Sequence, residues 1–272
     1  MSTLAGANLL ITGAAQGMGK LVATLAAERG AARLILWDVR DDLLSVTAEE
    51  LRSRFTQTVL VTQAVDVWDT QALLRAADAA GPVDILLNNA GVIVGKPFVE
   101  HATAEIDHTI AVNTTALMYL TRRLLPAMIA RGRGHIVNFA SAAGLVANPG
   151  MSVYCASKWA VVGWSESLLL EMREACSGVH VTTVIPYYVK TGMFAGVTSS
   201  PLLPQMEPGH AARKIIRAIE KDQPRIRIPW QIYTLPVLKG LLPAPLFDLV
   251  IGKGLGVYQS MKTFTGRNTT VS

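Results

Sequence analysis

The sequence predicts an α/β fold, in which one doubly wound, Rossmann-type parallel sheet of about seven strands is flanked by helices. Three observations lead to this prediction. Runs rich in Val, Ile and Leu alternate with stretches of helical periodicity, as βαβ units require. Most of these runs are apolar on both faces, which is typical of parallel strands covered by helices. A glycine-rich turn directly follows the first run and leads into a helix.

The predicted elements follow one another along most of the chain. The strands cover residues 8–12, 33–37, 58–63, 83–87, 135–140, 180–185 and 225–228. The helices cover residues 17–29, 41–53, 70–79, 103–130, 152–175 and 209–221. In the last helix, Ala211, Ile215 and Ile219 share one face, while the basic residues fall mostly elsewhere. We find no internal repeat and no domain linker in the sequence.

Two segments depart from this alternation. Residues 192–208 contain Pro201, Pro204 and Pro208, which predict an irregular flap within the domain. Residues 229–258 are apolar but contain four prolines, which end or kink helices. We therefore expect one Rossmann-type domain over residues 1–228. We expect short helical pieces in an apolar, basic extension of the same domain over residues 229–272, where they close over the ligand crevice.

The composition indicates a large apolar interior. Half of the 272 residues are apolar and the mean hydropathy is +0.34, so a core can form without a metal or a disulfide. Cys155 and Cys176 have no metal-ligand spacing, and we expect reduced thiols and no metal site. No stretch suits a signal peptide or a membrane span, which predicts a cytoplasmic location.

The net charge of +5 is concentrated at one end of the chain. Residues 207–272 hold ten of the 25 Lys and Arg residues but only four of the 20 Asp and Glu residues. No nucleic-acid-binding motif or interleaved aromatic residues accompany this charge, so we expect no nucleic-acid partner. Apolar and basic residues together suit an anionic membrane surface, and an oligomer interface with solvated lysines explains them equally well.

The glycine-rich turn reads TGAAQGMG over residues 12–19. Glycines in such a turn let backbone N–H groups approach a pyrophosphate at the helix N-terminus, where the helix dipole favours anions. The candidate contacts are Gly13, Gln16, Gly17, Met18 and Gly19. Close packing alone could also demand glycine here. The position immediately after the first strand favours the dinucleotide site.

Asp38 lies at the tip of the second strand, nineteen residues after Gly19. A carboxylate there can accept hydrogen bonds from the adenosine ribose and would repel a 2′-phosphate, so we predict NAD as the cofactor. The alternatives are a solvated loop carboxylate or a cap for the next helix. Arg40 and Lys20 are the nearby cations that would weaken a preference for NAD over NADP.

Tyr154 and Lys158 are four residues apart at the start of a predicted helix and therefore share a face. An ammonium group beside a phenol lowers its pKa, which makes tyrosine usable as a general acid or base. Ser141 follows the fifth strand, and a side chain at the carboxyl end of a parallel strand faces the ligand crevice. Each feature alone is more often structural. Their combination with the glycine turn favours a catalytic group.

Together these elements resemble the short-chain dehydrogenase/reductase family, in its compact branch, over about residues 8–228. The resemblance rests on TGAAQGMG at 12–19, Asp66-Val67, NNAG at 88–91, Asn113, Ser141, YCASK at 154–158 and IPYYVKT at 185–191. Several independent motifs in the family's order make it far more specific than any one motif.

The resemblance implies a role for each matching residue. Tyr154 would exchange a proton with the substrate oxygen, and Ser141 would position that oxygen. Lys158 would lower the pKa of Tyr154 and hold the nicotinamide ribose. Asn113 would kink its helix and hold a water of the proton relay. The remaining cofactor contacts would be Asp66 and Val67 at the adenine, Asn88, Ala90 and Gly91 on the adenosine side, and Pro186, Val189 and Thr191 at the nicotinamide.

Three phrases resemble the retinol and 17β-hydroxysteroid dehydrogenase branch of the family: LILWDV at 34–39, YCASKWAVVGW at 154–164 and IPYYVKTGMF at 185–194. Members of this branch act on lipophilic alcohols at membranes or lipid droplets, and an N-terminal anchor of the animal type is not expected here. One departure is Tyr187, which follows Pro186 where many members have glycine. We expect its ring to shape the substrate pocket.

The loops on the expected substrate side are apolar, which suits a steroid, a retinoid or a long-chain alcohol. The candidate pocket residues are Leu145, Tyr187, Tyr188, Met193 and Phe194. The same residues could instead pack the flap on the sheet or form a subunit contact. Family habit implies a homodimer or homotetramer, with helices 103–130 and 152–175 at the contacts.

The sequence thus predicts an NAD-dependent oxidoreductase that interconverts a lipophilic alcohol and its ketone or aldehyde. One alternative with the same chemistry is a reductase of small ketones or of acyl-carrier β-ketones. A third hypothesis is a catalytically silent NAD-binding protein, which predicts damage among Asn113, Ser141, Tyr154 and Lys158. All four residues are intact.

Overall fold

A parallel sheet of seven strands, in the order β3-β2-β1-β4-β5-β6-β7, forms the centre of the protein. The structure is a computed structural model that describes residues 2–266. The strands are β1 Asn8–Thr12, β2 Arg33–Asp38, β3 Val59–Ala64, β4 Ile85–Asn88, β5 Gly134–Phe139, β6 Val179–Pro186 and β7 Arg225–Ile228. The predicted fold class is confirmed. The strand order reverses beside β1, where the next neighbour is β4, and such a switch point opens a crevice at the carboxyl ends of the strands.

Helices cover both faces of this sheet. They are α1 Gly17–Glu28, α2 Asp41–Arg54, α3 Thr70–Ala79, α4 Thr103–Ile110, α5 Ala116–Ala130, α6 Ser152–Glu174, α7 Pro208–Glu220, α8 Thr234–Leu241 and α9 Ala244–Phe247. Because side chains alternate along a strand, Leu9 and Ile11 of β1 pack in the core beneath α1 and α7. Leu10 packs on the opposite face with apolar residues of α3 and α5.

The long helix predicted over residues 103–130 is interrupted by a π-helical turn, Ala111–Thr115, between α4 and α5. Such turns insert one extra residue into the helix and are frequent at functional sites. The other differences are shifts of one or two residues at element ends. The strand expected at 83–87, for example, is β4 at Ile85–Asn88.

The segment from 192 to 208 is irregular, as its prolines predict. An isolated bridge pairs Val189 with Met206, and Val197 and Leu203 are buried. The segment therefore packs on the domain over much of its length. Helix α7 begins with Pro208 at its first turn, where proline costs no hydrogen bond.

The extension after β7 consists of short helical pieces, as its prolines predict. Beyond α8 and α9 come a π-helical stretch, Asp248–Gly254, and a single 3-10 turn, Val257–Gln259. Its buried residues Leu235, Phe247 and Ile251 join a core cluster with apolar residues of α6 and β6. Over residues 2–266, none of the helices combines the length and the apolar character that crossing a bilayer requires.

Candidate active site

The glycine-rich turn between β1 and α1 is shaped by close backbone packing. A Cβ atom added at Gly19 would lie 2.1 Å from the carbonyl oxygen of Gly13, so no larger residue fits there. Gly13 and Gly17 adopt positive φ angles of 68° and 60°, which favour glycine. The N-cap residue Gln16 makes no side-chain capping bond, so the first N–H groups of α1 remain available to an anion. Packing and phosphate binding therefore make compatible demands on this turn.

Asp38 ends β2 beside the glycine-rich turn. Its carboxylate accepts hydrogen bonds from the backbone N–H groups of Ala15 at 2.9 Å and Arg40 at 3.0 Å. The two nearby cations are engaged elsewhere. The guanidinium of Arg40 pairs with Asp42 at 2.8 Å, and the ammonium of Lys20 pairs with Glu50 at 2.6 Å. Neither cation is directed to a phosphate in this arrangement.

A small cavity, partly open to solvent, lies beside the carboxyl ends of β1 and β4. It brings together Val67, Asn88 and Ala90, three of the residues expected around the adenosine. Asp66 precedes them and accepts a hydrogen bond from the N–H of Trp68 at 2.9 Å. The side-chain amide of Asn88 donates to the side-chain oxygen Oδ1 of Asn138 at 2.8 Å, so this residue links β4 to β5.

Asn113 lies in the π-helical turn and is fully buried. Its side-chain oxygen accepts from the N–H of Val92 at 2.8 Å, and its amide donates to the carbonyl of Val92 at 2.9 Å and to Ser157 Oγ at 3.1 Å. A Cβ atom at Gly91 would lie 3.2 Å from Asn113 Oδ1 and 3.7 Å from Lys158 Nζ. Glycine at this position lets the β4 loop approach both side chains.

Tyr154, Lys158 and Ser141 meet at the carboxyl end of β5. Helix α6 places the Lys158 ammonium 5.7 Å from the centre of the Tyr154 ring, and Nζ donates to the carbonyl of Phe139 at 3.0 Å. The Ser141 hydroxyl accepts from the N–H of Ala143 at 3.1 Å, and its interaction with the Tyr154 side chain acts to lower the pKa of that tyrosine. The four candidate catalytic residues are thus gathered at one point of the crevice, with Asn113 and Lys158 on either side of Gly91.

Burial dominates the protonation of this group. It raises the pKa of Tyr154, and the hydrogen bond to Ser141 opposes the rise only in part. It lowers the pKa of Lys158 from 10.5 to about 8. The pKa of Tyr154 therefore shifts in the direction opposite to the one that its spacing from Lys158 predicts, because burial of the hydroxyl is the largest cause. Tyr154 therefore holds its proton near neutral pH in this arrangement.

A second pocket, of about 490 Å³ and partly open to solvent, lies against Ser141. Its lining residues are Ser141, Ala142, Ala143, Val146, Asn148, Met151, Tyr187, Tyr188, Leu203, Leu235, Ile251 and Val257. Tyr187 and Tyr188, two of the predicted pocket residues, are among them. The sequence predicts that the C-terminal extension closes over the crevice, but no periodicity there indicates which three of its residues line the pocket. Asn148 was not predicted either, since a lone amide in an apolar loop carries no motif.

Three expected pocket residues do not line this cavity. The ring of Phe194 lies 6.0 Å from the ring of Tyr154 and 5.0 Å from that of Tyr188 (centre to centre), so it packs edge-on against both tyrosines. Leu145 packs in the cluster that joins α6 to the C-terminal extension. Met193 lies outside the lining as well.

The residues expected at the nicotinamide follow β6. Pro186 ends that strand, and Val189 is buried and paired with Met206. The N–H of Thr191 donates to the carbonyl of Val189 at 2.7 Å, which holds this loop in a tight turn. The loop leads directly into the irregular segment from residue 192 onwards.

Comparison with known proteins agrees with this geometry. Residues 7–201 match the model of the short chain dehydrogenase family. The chain is 37% identical to mouse epidermal retinol dehydrogenase 2, over 97% of this chain and 87% of the relative. Two similar crystal structures are a short-chain dehydrogenase/reductase from Burkholderia phymatum with NAD and one from Sphingobium yanoikuyae with NADPH. The first is 26% identical with a TM-score of 0.77, covering 93% of this chain and 97% of that one. The second is 27% identical with a TM-score of 0.75, covering 98% of each chain.

These findings confirm the resemblance to the family and to its retinol dehydrogenases. They leave NAD and NADP both open as the cofactor. The protein belongs to the short-chain dehydrogenase/reductase family and is an NAD(P)-dependent oxidoreductase of alcohols and ketones.

Proposed function

We propose that this protein is an NAD-dependent dehydrogenase of lipophilic alcohols, of the steroid, retinoid or long-chain type. The pocket of about 490 Å³ carries this proposal. Eight of its twelve lining residues are apolar, and one of its polar residues is Ser141, which interacts with the Tyr154 side chain. An apolar pocket with a few convergent polar groups is the common form of a small-molecule site.

The proposed chemistry assigns one task to each candidate catalytic side chain. Ser141 holds the substrate oxygen, and the Tyr154 hydroxyl passes a proton to it or takes one from it. The raised pKa of Tyr154 keeps that proton in place for reduction of a carbonyl. Donation of that proton leaves a phenolate, which the Lys158 ammonium and the Ser141 hydroxyl stabilise, and in the oxidative direction this phenolate takes up the proton of the alcohol. Asn113 holds the loop after β4 through two hydrogen bonds to Val92, and the Phe139 carbonyl accepts from Lys158.

The cofactor fits the crevice on the other side of this group. When bound, it supplies the carbon that accepts or donates the hydride. The N-terminus of α1 would hold the pyrophosphate, and the cavity at Val67 and Ala90 would hold the adenine. Lys158 would hold the nicotinamide ribose, and Val189 with Thr191 the carboxamide. The Asp38 carboxylate, with no phosphate-directed cation beside it, favours NAD over NADP.

The lipophilic substrate follows from the pocket and from the relatives. Several relatives at 34–37% identity are named retinol dehydrogenases. The alternative of an acyl-carrier β-ketone needs an open channel for a thioester. Here Tyr187 and Leu235 stand in the pocket wall, which disfavours that substrate.

Steady-state kinetics with NAD and NADP across retinol, steroids, long-chain secondary alcohols and small secondary alcohols test the proposal. The expected result is a higher kcat/KM for the large apolar alcohols, with NAD preferred. A higher kcat/KM for small alcohols or acyl-carrier ketones would contradict the substrate class. A preference for NADP would contradict the cofactor alone.

We propose that the C-terminal extension docks on an anionic membrane. Large apolar side chains of this extension are exposed, including Trp230 at 66% and Leu241 at 76%. Exposed Lys253 lies on the same extension, whose sequence holds four Lys and Arg residues and one Asp. Exposed apolar side chains with basic neighbours are typical of surfaces that bind membranes peripherally. Residues 267–272, part of the predicted extension, lie outside the described residues.

Sedimentation with anionic vesicles tests this docking. Binding should fall as salt rises and should weaken in the variant Trp230→Glu/Leu241→Glu. Absence of vesicle binding, with a change of oligomer size in the same variant, would assign the surface to a subunit contact instead.

We also propose a homodimer or homotetramer that uses α5 and α6. Both helices expose large apolar residues, among them Tyr119 and Ile129 on α5 and Leu170 on α6. Leu170 is 62% exposed, so Leu170→Glu should reduce the mass measured by analytical ultracentrifugation. A wild-type monomer would contradict the proposal.

A further inference from the structure

Among the described residues that line the substrate pocket, Asn148 has a buried side-chain polar atom without a partner. Its side-chain oxygen Oδ1 has no hydrogen-bond partner, and the residue is 8% exposed. Its other amide atom, Nδ2, is well satisfied. A buried acceptor that stays unpaired costs free energy, so an unpaired acceptor in a ligand pocket points to a group of the ligand.

The neighbouring hydroxyls determine which amide atom is left over. Ser260 donates its proton to the carbonyl of Val257 at 2.8 Å, so its oxygen can only accept from the others. It accepts from the Tyr188 hydroxyl at 2.9 Å and from Asn148 Nδ2 at 2.8 Å. The second hydrogen of Nδ2 goes to the Tyr188 oxygen at 3.1 Å. Both amide hydrogens are used, and Oδ1 remains as a free acceptor.

We propose that Asn148 is a specificity-determining residue whose Oδ1 accepts a hydrogen bond from a second hydroxyl of the substrate. The substrate class is then an apolar alcohol or ketone that carries one further hydroxyl group. This inference rests on the proposed function, which assigns Ser141 and Tyr154 to the reacting oxygen. Tyr188 is already engaged with Asn148 and Ser260, so Asn148 offers the unused acceptor in this part of the pocket.

The C-terminal extension builds this acceptor. Ser260 belongs to it and is 1% exposed, although Asn148 lies 112 residues earlier in the chain. Backbone bonds hold the segment in place, because the N–H of Thr198 donates to the carbonyl of Ser260 at 3.1 Å and the N–H of Thr265 donates to that of Ala195 at 3.0 Å. The extension therefore selects the substrate by orienting an amide of the main domain as well as by lining the pocket.

The test measures kcat/KM for a long-chain secondary alcohol and for diols that differ from it only by one further hydroxyl, placed progressively along the chain. At one or two placements, the wild-type protein should prefer the diol by about tenfold, the effect of one neutral hydrogen bond. Asn148→Leu should abolish that preference and still turn over the simple alcohol. A wild-type protein with no preference at any placement, or a preference that survives in Asn148→Leu, would overturn the proposal.

Met151→Leu is the matched control in the same wall of the pocket. It removes a 3.5 Å contact between Asn148 Nδ2 and the Met151 sulfur at nearly constant volume. It should change kcat/KM for both alcohols by the same factor. Methylation of the second hydroxyl gives a test that needs no variant, because the ether keeps the oxygen but loses the hydrogen. The wild-type protein should lose its preference for the ether, and an ether bound as well as the diol would refute the acceptor role.

Failure of the proposed function has a different signature. It would appear as absence of turnover with every alcohol and with both dinucleotides. If there is no turnover, the Asn148 contact can still be tested by binding. The rise in Tm of the protein is measured on addition of the simple alcohol, the diol or its methyl ether. A larger rise with the diol in the wild-type protein, but not in Asn148→Leu, supports the contact, and equal rises refute it.

Discussion

The two ends of the sheet each bury one basic side chain but treat its charge differently. At the amino end, His135 is 1% exposed, and its ring nitrogens lie 2.9 Å from Ser2 Oγ and 2.7 Å from Thr182 Oγ1. Asp222 lies 3.7 Å from the same ring. At the carboxyl end, Lys158 is 4% exposed and donates to a backbone carbonyl. Within residues 2–266, no carboxylate pairs with it.

The difference separates stability from function. Burial lowers the pKa of His135 to about 4, so the imidazole is neutral near neutral pH, and each ring nitrogen lies within hydrogen-bond distance of a hydroxyl. Burial lowers the pKa of Lys158 only to about 8, so near neutral pH the ammonium is charged without a counter-charge. A buried, unpaired charge destabilises a fold, and such groups cluster where chemistry uses them. The amino end therefore buries an uncharged group, whereas the carboxyl end buries an uncompensated charge, as the proposed role of Lys158 in the reaction requires.

The largest expected effect is a loss of catalysis at the carboxyl end. Tyr154→Phe removes the proposed proton donor and keeps the ring, so kcat should fall about 10²–10⁴-fold while dinucleotide binding survives. Turnover and cofactor titration measure the two quantities. His135→Gln is the control at the amino end and should leave kcat unchanged. A Tyr154→Phe protein with more than about a tenth of wild-type activity would refute the assignment.

Lys158→Met should lose activity and gain stability. The folded state disfavours the ammonium, because the pKa of Lys158 is about 8 there and 10.5 in the unfolded chain. The wild-type protein therefore becomes more stable as pH rises from about 8 to 10.5. At neutral pH the variant should be more stable by about 1–3 kcal/mol, and its stability should not rise over that window. Urea unfolding at neutral and alkaline pH measures both. Equal stability of the two proteins at neutral pH would break the comparison.

At the amino end, we expect stability to depend on pH in the acidic range. The pKa of His135 falls from 6.5 to about 4 on folding, so the unfolded chain takes up its proton first as pH falls. The free energy of unfolding should decrease by about 1–3 kcal/mol as pH falls from 6.5 through 4. The nearby Asp222 carboxylate limits this decrease, because it stabilises the protonated imidazole. His135→Gln should flatten this decline. Parallel slopes for the wild-type protein and the variant would show that His135 does not control acid stability.

The smallest expected effect concerns cofactor choice at the carboxyl end. Asp38→Asn keeps the acceptor for the N–H groups of Ala15 and Arg40 and removes the charge. The ratio of kcat/KM for NAD to that for NADP should fall on the order of tenfold, about 1.4 kcal/mol. Asp42→Asn is the control, because it frees Arg40 but leaves the Asp38 charge in place, and its effect should be smaller. A ratio unchanged in Asp38→Asn would assign the cofactor preference to other residues.

The cofactor side of the site could be read from the sequence because its signals are local. Gly13, Gly17 and Gly19 shape one turn, and Tyr154 and Lys158 share a face through helical spacing alone. Local backbone geometry fixes where such side chains point, so their spacing carries the information. The seven strands were predictable for the same reason, because alternation and apolar runs are properties of neighbouring residues.

The substrate side was decided by the tertiary structure. Leu235, Ile251 and Val257 line the pocket from an extension without periodicity, while Leu145 and Met193 lie outside the lining. The pKa of Tyr154 rises instead of falling because burial depends on everything packed around the ring. The free acceptor of Asn148 exists because Ser260, 112 residues away, takes up the amide hydrogens together with Tyr188. The sequence by itself determined the fold and the reaction class, because short-range spacing encodes both. Which atoms meet the substrate depends on long-range packing that no local pattern records.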